Sequence, residues 1–158
     1  MTRKAGFILS ATATLLVAVM LPSCNLSTVF NRYESIDLSG WSRNDTLFFD
    51  VPPISTPGRF TQELGMRIDE TFPFTGITLV VEQRVLPGRR TKTDTLKCRM
   101  ADSEGAFTGT GVTLHQYDFP LGTIDLRRGD SLHITVRHIM ERESMPGVSD
   151  VGIKLTRN

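Results

Sequence analysis

Few side chains in this sequence are suited to covalent or metal chemistry: Cys24 and Cys98, His115, His133 and His138, and a scatter of hydroxyls and carboxylates. A metal site needs His, Cys or carboxylate ligands that converge, and on a strand only residues i and i+2 share a face. His133 and His138 are an odd number of positions apart, so a regular strand sends them to opposite sides, and His115 lies far off in the chain. All three read as ordinary surface or edge histidines. The glycines of "GAFTGTGV" (Gly105, Gly109, Gly111) lack the third glycine of a dinucleotide loop and the Lys-Ser/Thr of a phosphate loop, and no helix is expected after them. They read as a flexible or tightly turning loop. Ser149 in "GVSDVG" misses the nucleophile-elbow pattern at its second glycine. Carboxylate pairs such as Asp69 with Glu70, or Glu141 with Glu143, carry no glycosidase signal without a measured separation. No enzyme signature emerges, no metal is indicated, and no cofactor is called for.

The thiol of Cys24 stands apart because of what precedes it. Arg3 and Lys4 form a short positive region, and the uncharged, apolar run from Ala5 to Met20 follows, the layout of a secretory signal. That run is shorter than the roughly 20 apolar residues a membrane-crossing helix requires, and it ends at Pro22. "LPSC" resembles a bacterial lipobox with Pro22 where Ala or Ser is more usual. Sulfur is the nucleophile that takes up diacylglycerol through a thioether, so Cys24 is expected to be retained, lipidated, as the first mature residue. Each buried CH₂ of an acyl chain contributes about 0.8 kcal/mol, enough for several chains on one cysteine to hold a protein on a membrane.

Removing residues 1–23 from 158 leaves 135, which suits one domain with a full core. With Arg3 and Lys4 gone, 16 basic residues face 17 acidic ones, a net charge of −1, unlike the strongly basic balance of a phosphate-tracking protein. Nucleic acid is not an expected partner. If Cys24 carries lipid, Cys98 has no intramolecular disulfide partner; it alternates with Leu96 and Met100 and reads as a small buried hydrophobe on a strand.

Beyond Asp45 the apolar period is close to 2, in short runs bounded by Gly, Pro, Asp and Asn. Phe60, Leu64, Met66 and Ile68 share one parity; Leu132, Ile134 and Val136 alternate with His133, Thr135 and Arg137; Val151, Ile153 and Leu155 alternate near the end. "GITLVVEQRV" and "TDTLKCRMA" flank "PGRR", a hairpin in which Pro87 and Gly88 suit the centre of a type II turn. The fold class expected is all-β: a single antiparallel β-sandwich domain behind an N-terminal lipoprotein signal peptide, divided as 1–23 signal peptide, 24–45 lipidated N-terminus and tether, and 46–158 sandwich. Trp41, just ahead of the first clear strand, has two readings, a ring capping one end of the core or a platform for ligand stacking. The basic tip Arg84, Arg89, Arg90 and Lys92 likewise reads either as a solvated hairpin end or, at Arg89, Arg90 and Lys92, as a contact for anionic headgroups.

Three segments together resemble one family. They are "MRIDETFPFTGITLVVE" (66–82), a strand, an aromatic-Pro-aromatic turn and an apolar strand; "GAFTGTGVTLHQYD", with Gly105, Gly109, Gly111, Tyr117 and Asp118; and "MPGVSDVGIKL", with Gly147, Asp150 and Gly152. In this order, after a lipobox and an early tryptophan, they are similar to the gliding-motility lipoproteins of the GldH type found in Bacteroidota, over roughly 33–155. The motif residues are expected to serve backbone geometry, Gly147 at a turn, Gly152 at a bulge or close strand approach and Asp150 as an acceptor near the final strand. The resemblance implies a non-catalytic outer-membrane lipoprotein that acts as a component or accessory of gliding motility or type IX secretion machinery, anchored by lipid and facing the periplasm, with proteins of that complex as partners. The alternative is a surface lipoprotein that binds glycan or another ligand through Trp41 or a loop aromatic.

The same resemblance brings in the Asp-Ser/Thr-apolar sequon used in that phylum for periplasmic O-glycosylation, which fits "DTL" at 45–47, "DTL" at 94–96 and "DSL" at 130–132 and makes Thr46, Thr95 and Ser131 candidates. The intact mass of the protein from its native host is expected to show a heterogeneous glycan addition that Thr46→Ala, Thr95→Ala and Ser131→Ala together remove; a bare mass contradicts the assignment.

Overall fold

A computed structural model describes residues 27–158, so the expected signal peptide and Cys24 lie outside the described residues. Ten strands follow one another: β1 (Thr28–Ser35), β2 (Trp41–Ser42), β3 (Leu47–Val51), β4 (Gly58–Ile68), β5 (Gly76–Leu86), β6 (Arg90–Arg99), β7 (His115–Leu126), β8 (Ser131–His138), β9 (Ser144–Met145) and β10 (Val148–Arg157). The alternation seen in the sequence is the cause. On β8, Leu132, Ile134 and Val136 are buried while Arg137 is exposed, and on β10 Val151, Ile153 and Leu155 are buried in turn. An antiparallel strand with one face on a core and one toward water needs that period.

Two four-stranded antiparallel sheets pack face to face, one ordered β1-β10-β4-β7 and the other β3-β8-β5-β6, while β2 and β9 form a short ribbon of their own. Apart from the β5–β6 hairpin, each main strand is followed by one in the opposite sheet, and the first strand pairs with the last. This is the eight-stranded jelly-roll arrangement of a sandwich. Between the sheets lie Phe49, Phe60, Leu64, Met66, Ile68, Leu79, Ile134 and Ile153, among others, with almost no exposure. At each one, truncation to Ala removes contacts that the neighbours restore only in part, at about 2–5 kcal/mol.

The core is not wholly apolar. Gln62 on β4 and Gln83 on β5 fall on inward parities, and Gln62 Nε2 donates to Gln83 Oε1 across the sandwich at 2.6 Å. Each side chain is only 1% exposed. A buried amide that keeps its partner is tolerated, whereas one left alone retains its full desolvation cost.

The structure corrects the sequence reading in three places. The segment assigned to a tether up to Asp45 instead contains β1, which pairs with β10 from Thr28↔Thr156 to Ser35↔Asp150 and belongs to a main sheet. Its burial is partial because it is an edge strand, so the alternation that marks the other strands is blurred in "TVFNRYES". The expected type II turn does not form: Val85 pairs with Arg90, the Leu86–Pro87 peptide is cis, and the residue with positive φ (51°) is Arg89, not Gly88. Finally, His138 is a core residue rather than a surface one, with no exposure.

Gln62→Leu alone is expected to cost about 1–3 kcal/mol in urea unfolding, because Gln83 is then buried without a partner, and Gln62→Leu with Gln83→Leu should recover most of that loss. Equal losses in the single and double variants would show that the pair does not act as a unit.

Candidate functional site

The three segments that carry the family resemblance meet at one end of the sandwich. Asp69, just after β4, accepts N–H and O–H hydrogen bonds from Thr71 through Oδ1 and shapes the turn toward β5. Its own amide donates to the Gly147 carbonyl at 2.8 Å. Gly147 has φ +78° and lies so close to the Phe72 backbone that a Cβ would collide with the Phe72 amide nitrogen. The Phe72 ring stands edge-on to Phe74 at 6.0 Å and tilted against Phe107 at 6.4 Å, with Phe107 in turn against His115 at 5.2 Å. Gly109 faces the Tyr117 ring, where a Cβ would sit 2.6 Å from it, and the Tyr117 hydroxyl donates to the Met100 carbonyl at 2.7 Å. Gly111 (φ +120°) would place a Cβ on the Leu114 carbonyl, and Gly105 (φ +87°) lies in an open turn. Of the motif residues, then, Gly109, Gly111 and Gly147 have their space taken by backbone or rings.

Gly152 belongs to a second arrangement, on the outer face of the β1-β10-β4-β7 sheet. It pairs with Gly65 of β4, and the Tyr33 ring from β1 lies across both glycines, 2.7 Å from where a Gly152 Cβ would be. The Arg67 guanidinium stands 4.4 Å from the Tyr33 ring centroid, a cation–π contact. Arg67 Nε donates to Gln116 Oε1 at 2.9 Å, and Gln116 Nε2 donates to the Tyr33 hydroxyl at 3.0 Å. One strand edge further, Asp150 accepts from Ser35 at 2.9 Å and from Ser149 at 2.6 Å, and Lys154 pairs with Glu63 at 3.0 Å. The Lys154 ammonium pKa is raised by its hydrogen bond to that carboxylate. Tyr33 and Gly65 were not singled out from the sequence, although a glycine inside a strand signals a close approach.

The remaining candidates are dispersed. His133 and His138 do leave β8 on opposite sides: His133 Nδ1 meets Asp50 at 2.6 Å on the outer face, and His138 contacts the Trp41 carbonyl at 3.0 Å inside. Burial, with help from the Arg43 charge, lowers the His138 pKa against that hydrogen bond. No three His, Cys, Asp or Glu side chains are grouped to hold a metal among the described residues. Cys98 is buried, and burial pushes its thiol up to about 12, far from a reactive thiolate. Trp41 is 1% exposed, packed edge-on to His138 at 5.3 Å with Nε1 donating to the Asp45 carbonyl, so its ring caps the core and offers no stacking face to a ligand. In the basic hairpin, Lys92 pairs with Asp94 at 2.8 Å and Arg90 with Asp130 at 3.7 Å, while Arg89 makes no ion pair among the described residues. Thr95 is exposed on β6; Thr46 and Ser131 are half-buried.

Fold and surface together define an all-β jelly-roll domain whose distinctive residues are close-approach glycines rather than reactive groups. The sequence profile of the GldH lipoprotein family matches residues 28–155, so the chain belongs to that family. It is 26% identical over 148 residues to the gliding motility lipoprotein GldH of Flavobacterium johnsoniae, covering 89% of this chain and 92% of that one. Among solved structures, it resembles a Sulfurospirillum deleyianum protein (TM-score 0.41, 13% identity, 82% of this chain and 98% of that one) and a family 35 carbohydrate-binding module from Clostridium thermocellum (TM-score 0.40, 12% identity, 78% and 89%).

Gly152→Ala is expected to destabilise by about 1–3 kcal/mol, because the added methyl meets the Tyr33 ring, and the cost should fall below about 1 kcal/mol in a Tyr33→Ala background. An undiminished cost without the ring would place the strain elsewhere.

Proposed function

We propose that this member of the GldH lipoprotein family is a non-catalytic, outer-membrane lipoprotein, lipidated at Cys24 and facing the periplasm, that serves as a component or accessory of the gliding or type IX secretion machinery. The observation that carries the proposal is the extent of the family match: it runs from β1 into β10, across the whole jelly roll, rather than over one grafted motif. The sequence after the lipobox, "CNLST", has no acidic run of the kind that marks many surface-exported lipoproteins of the phylum, which favours the inner face of the outer membrane.

The outer face around Tyr33 supports a docking role. Its ring is seated on Gly65 and Gly152, and Arg67 and Gln116 hold it from the side, so the side chains are ordered before any partner arrives. A preorganised surface loses less conformational freedom on binding.

Cross-linking of native envelopes, followed by recovery of the tagged lipidated protein, is expected to bring down gliding or type IX secretion components, and a Cys24→Ala form should lose them. Recovery of glycans or surface receptors in their place would contradict the proposal.

A further inference from the structure

We propose that the jelly roll stands on the membrane on one specific end, with an arginine-rich surface against anionic lipid headgroups. The inference rests on lipidation of Cys24 and goes beyond it by assigning the orientation of the domain.

The chain between the expected anchor and the domain is short. Only Asn25 and Leu26 separate Cys24 from Ser27, and at no more than about 3.6 Å per residue the chain reaches about 11 Å from the lipidated cysteine to the domain. Ser27 is fixed there, since its carbonyl accepts from the Arg157 amide at 2.7 Å and β1 begins at the next residue. An anchor this short brings the end of the sandwich that holds Ser27 to the headgroup region.

That end of the sandwich is rich in arginine. Asn158 donates from its amide to the Arg59 carbonyl, Arg59 pairs with Asp125 across β4 and β7, and Arg90 reaches both the Asp125 carbonyl and the Asp130 carboxylate. Asp130 closes the turn between β7 and β8 by accepting the Arg127 amide, and Ser131 pairs with Leu86 beside the β5–β6 turn. The start of β1, the chain's last residues and the turns 86–89 and 127–130 therefore share one end. It carries Arg59, Arg89, Arg90, Arg127, Arg128 and Arg157 against Asp125, Asp130 and Asp50, the last of which pairs with His133. The side chains of Arg89, Arg127, Arg128 and Arg157 form no ion pair among the described residues. Val29 and Leu86, partly exposed, provide apolar surface on the same end.

The opposite end has the reverse balance of charge. There the connections after β1, β2, β4, β6 and β8 carry Asp37, Asp45, Asp69, Glu70, Asp102, Glu104, Glu141 and Glu143 against Arg43, Arg142 and, as the last residue of β6, Arg99. The domain is thus polarised along its strands although its net charge is close to zero. Basic residues near a membrane are drawn to anionic lipid within about a Debye length, which is the range the short anchor enforces.

The test uses the full mature chain, purified with its lipid, its acyl groups verified by intact mass, in vesicles of phosphatidylcholine with or without phosphatidylglycerol. Gly88→Cys, in the open β5–β6 turn, and Ser103→Cys, at the far end, each receive a maleimide fluorophore. Cys98 is 2% exposed and does not compete for the label. A headgroup-attached quencher is expected to quench position 88 at least about threefold more than position 103 in phosphatidylglycerol vesicles, and Arg127→Glu with Arg128→Glu, or Arg89→Glu alone, should reduce that ratio toward one. Equal quenching at both positions, or stronger quenching at 103, overturns the orientation while leaving the anchor intact. A purified chain without acyl mass overturns the lipidation and the proposal together.

Discussion

The antiparallel pairing of the first described strand with the last holds this architecture together. β10 lies between β1 and β4, so the sheet closes only when residues near both ends of the chain meet, with Thr28 opposite Thr156 and Ser35 opposite Asp150. Apart from the β5–β6 hairpin, the main strands find partners that are not their neighbours in sequence. Such non-local pairing must pay its loop-closure entropy before its contacts form, so a fold of this kind assembles slowly and depends on register. The inward faces set that register: a one-residue slip of β10 would expose Val151, Ile153 and Leu155 and bury Lys154.

Glycines then let the elements come close where side chains would hold them apart. Gly147 admits the Phe72 backbone, Gly109 the Tyr117 ring, and Gly65 with Gly152 the Tyr33 ring. The contacts at Gly147, Gly65 and Gly152 join segments distant in sequence, and the one at Gly109 closes a local loop, which gives a physical reason why family resemblance concentrates in short motifs around Gly109, Gly147 and Gly152. Those motifs describe packing, and the outer-face cluster of Tyr33, Arg67 and Gln116 is a consequence of one of them.

Much of this was legible in the sequence. The period-2 pattern located β4, β8 and β10 and their buried faces, the hairpin pattern around Pro87 and Gly88 located β5 and β6, and the parity of His133 and His138 separated them correctly. What escaped has identifiable causes. β1 is an edge strand with only part of its face on the core, so composition made it look like a spacer. Gln62 and Gln83 are polar residues at core parities, joined by one hydrogen bond across the sheets that leaves Gln62 Oε1 and Gln83 Nε2 without partners, which no local pattern announces. His138 is buried because Trp41, remote in sequence, supplies its carbonyl and packs its ring. The turn at Leu86–Arg89 follows the strand register rather than the usual preference of Pro-Gly.

β1 is an integral strand of the sandwich, and native-state hydrogen exchange tests this most directly. The amides of β1 that pair with β10 are expected to exchange with nearly the same opening free energy as those of β4 and β10, through global unfolding. Exchange of β1 at loop-like rates, with β4 and β10 still protected, would contradict it and return the segment to the role of a tether.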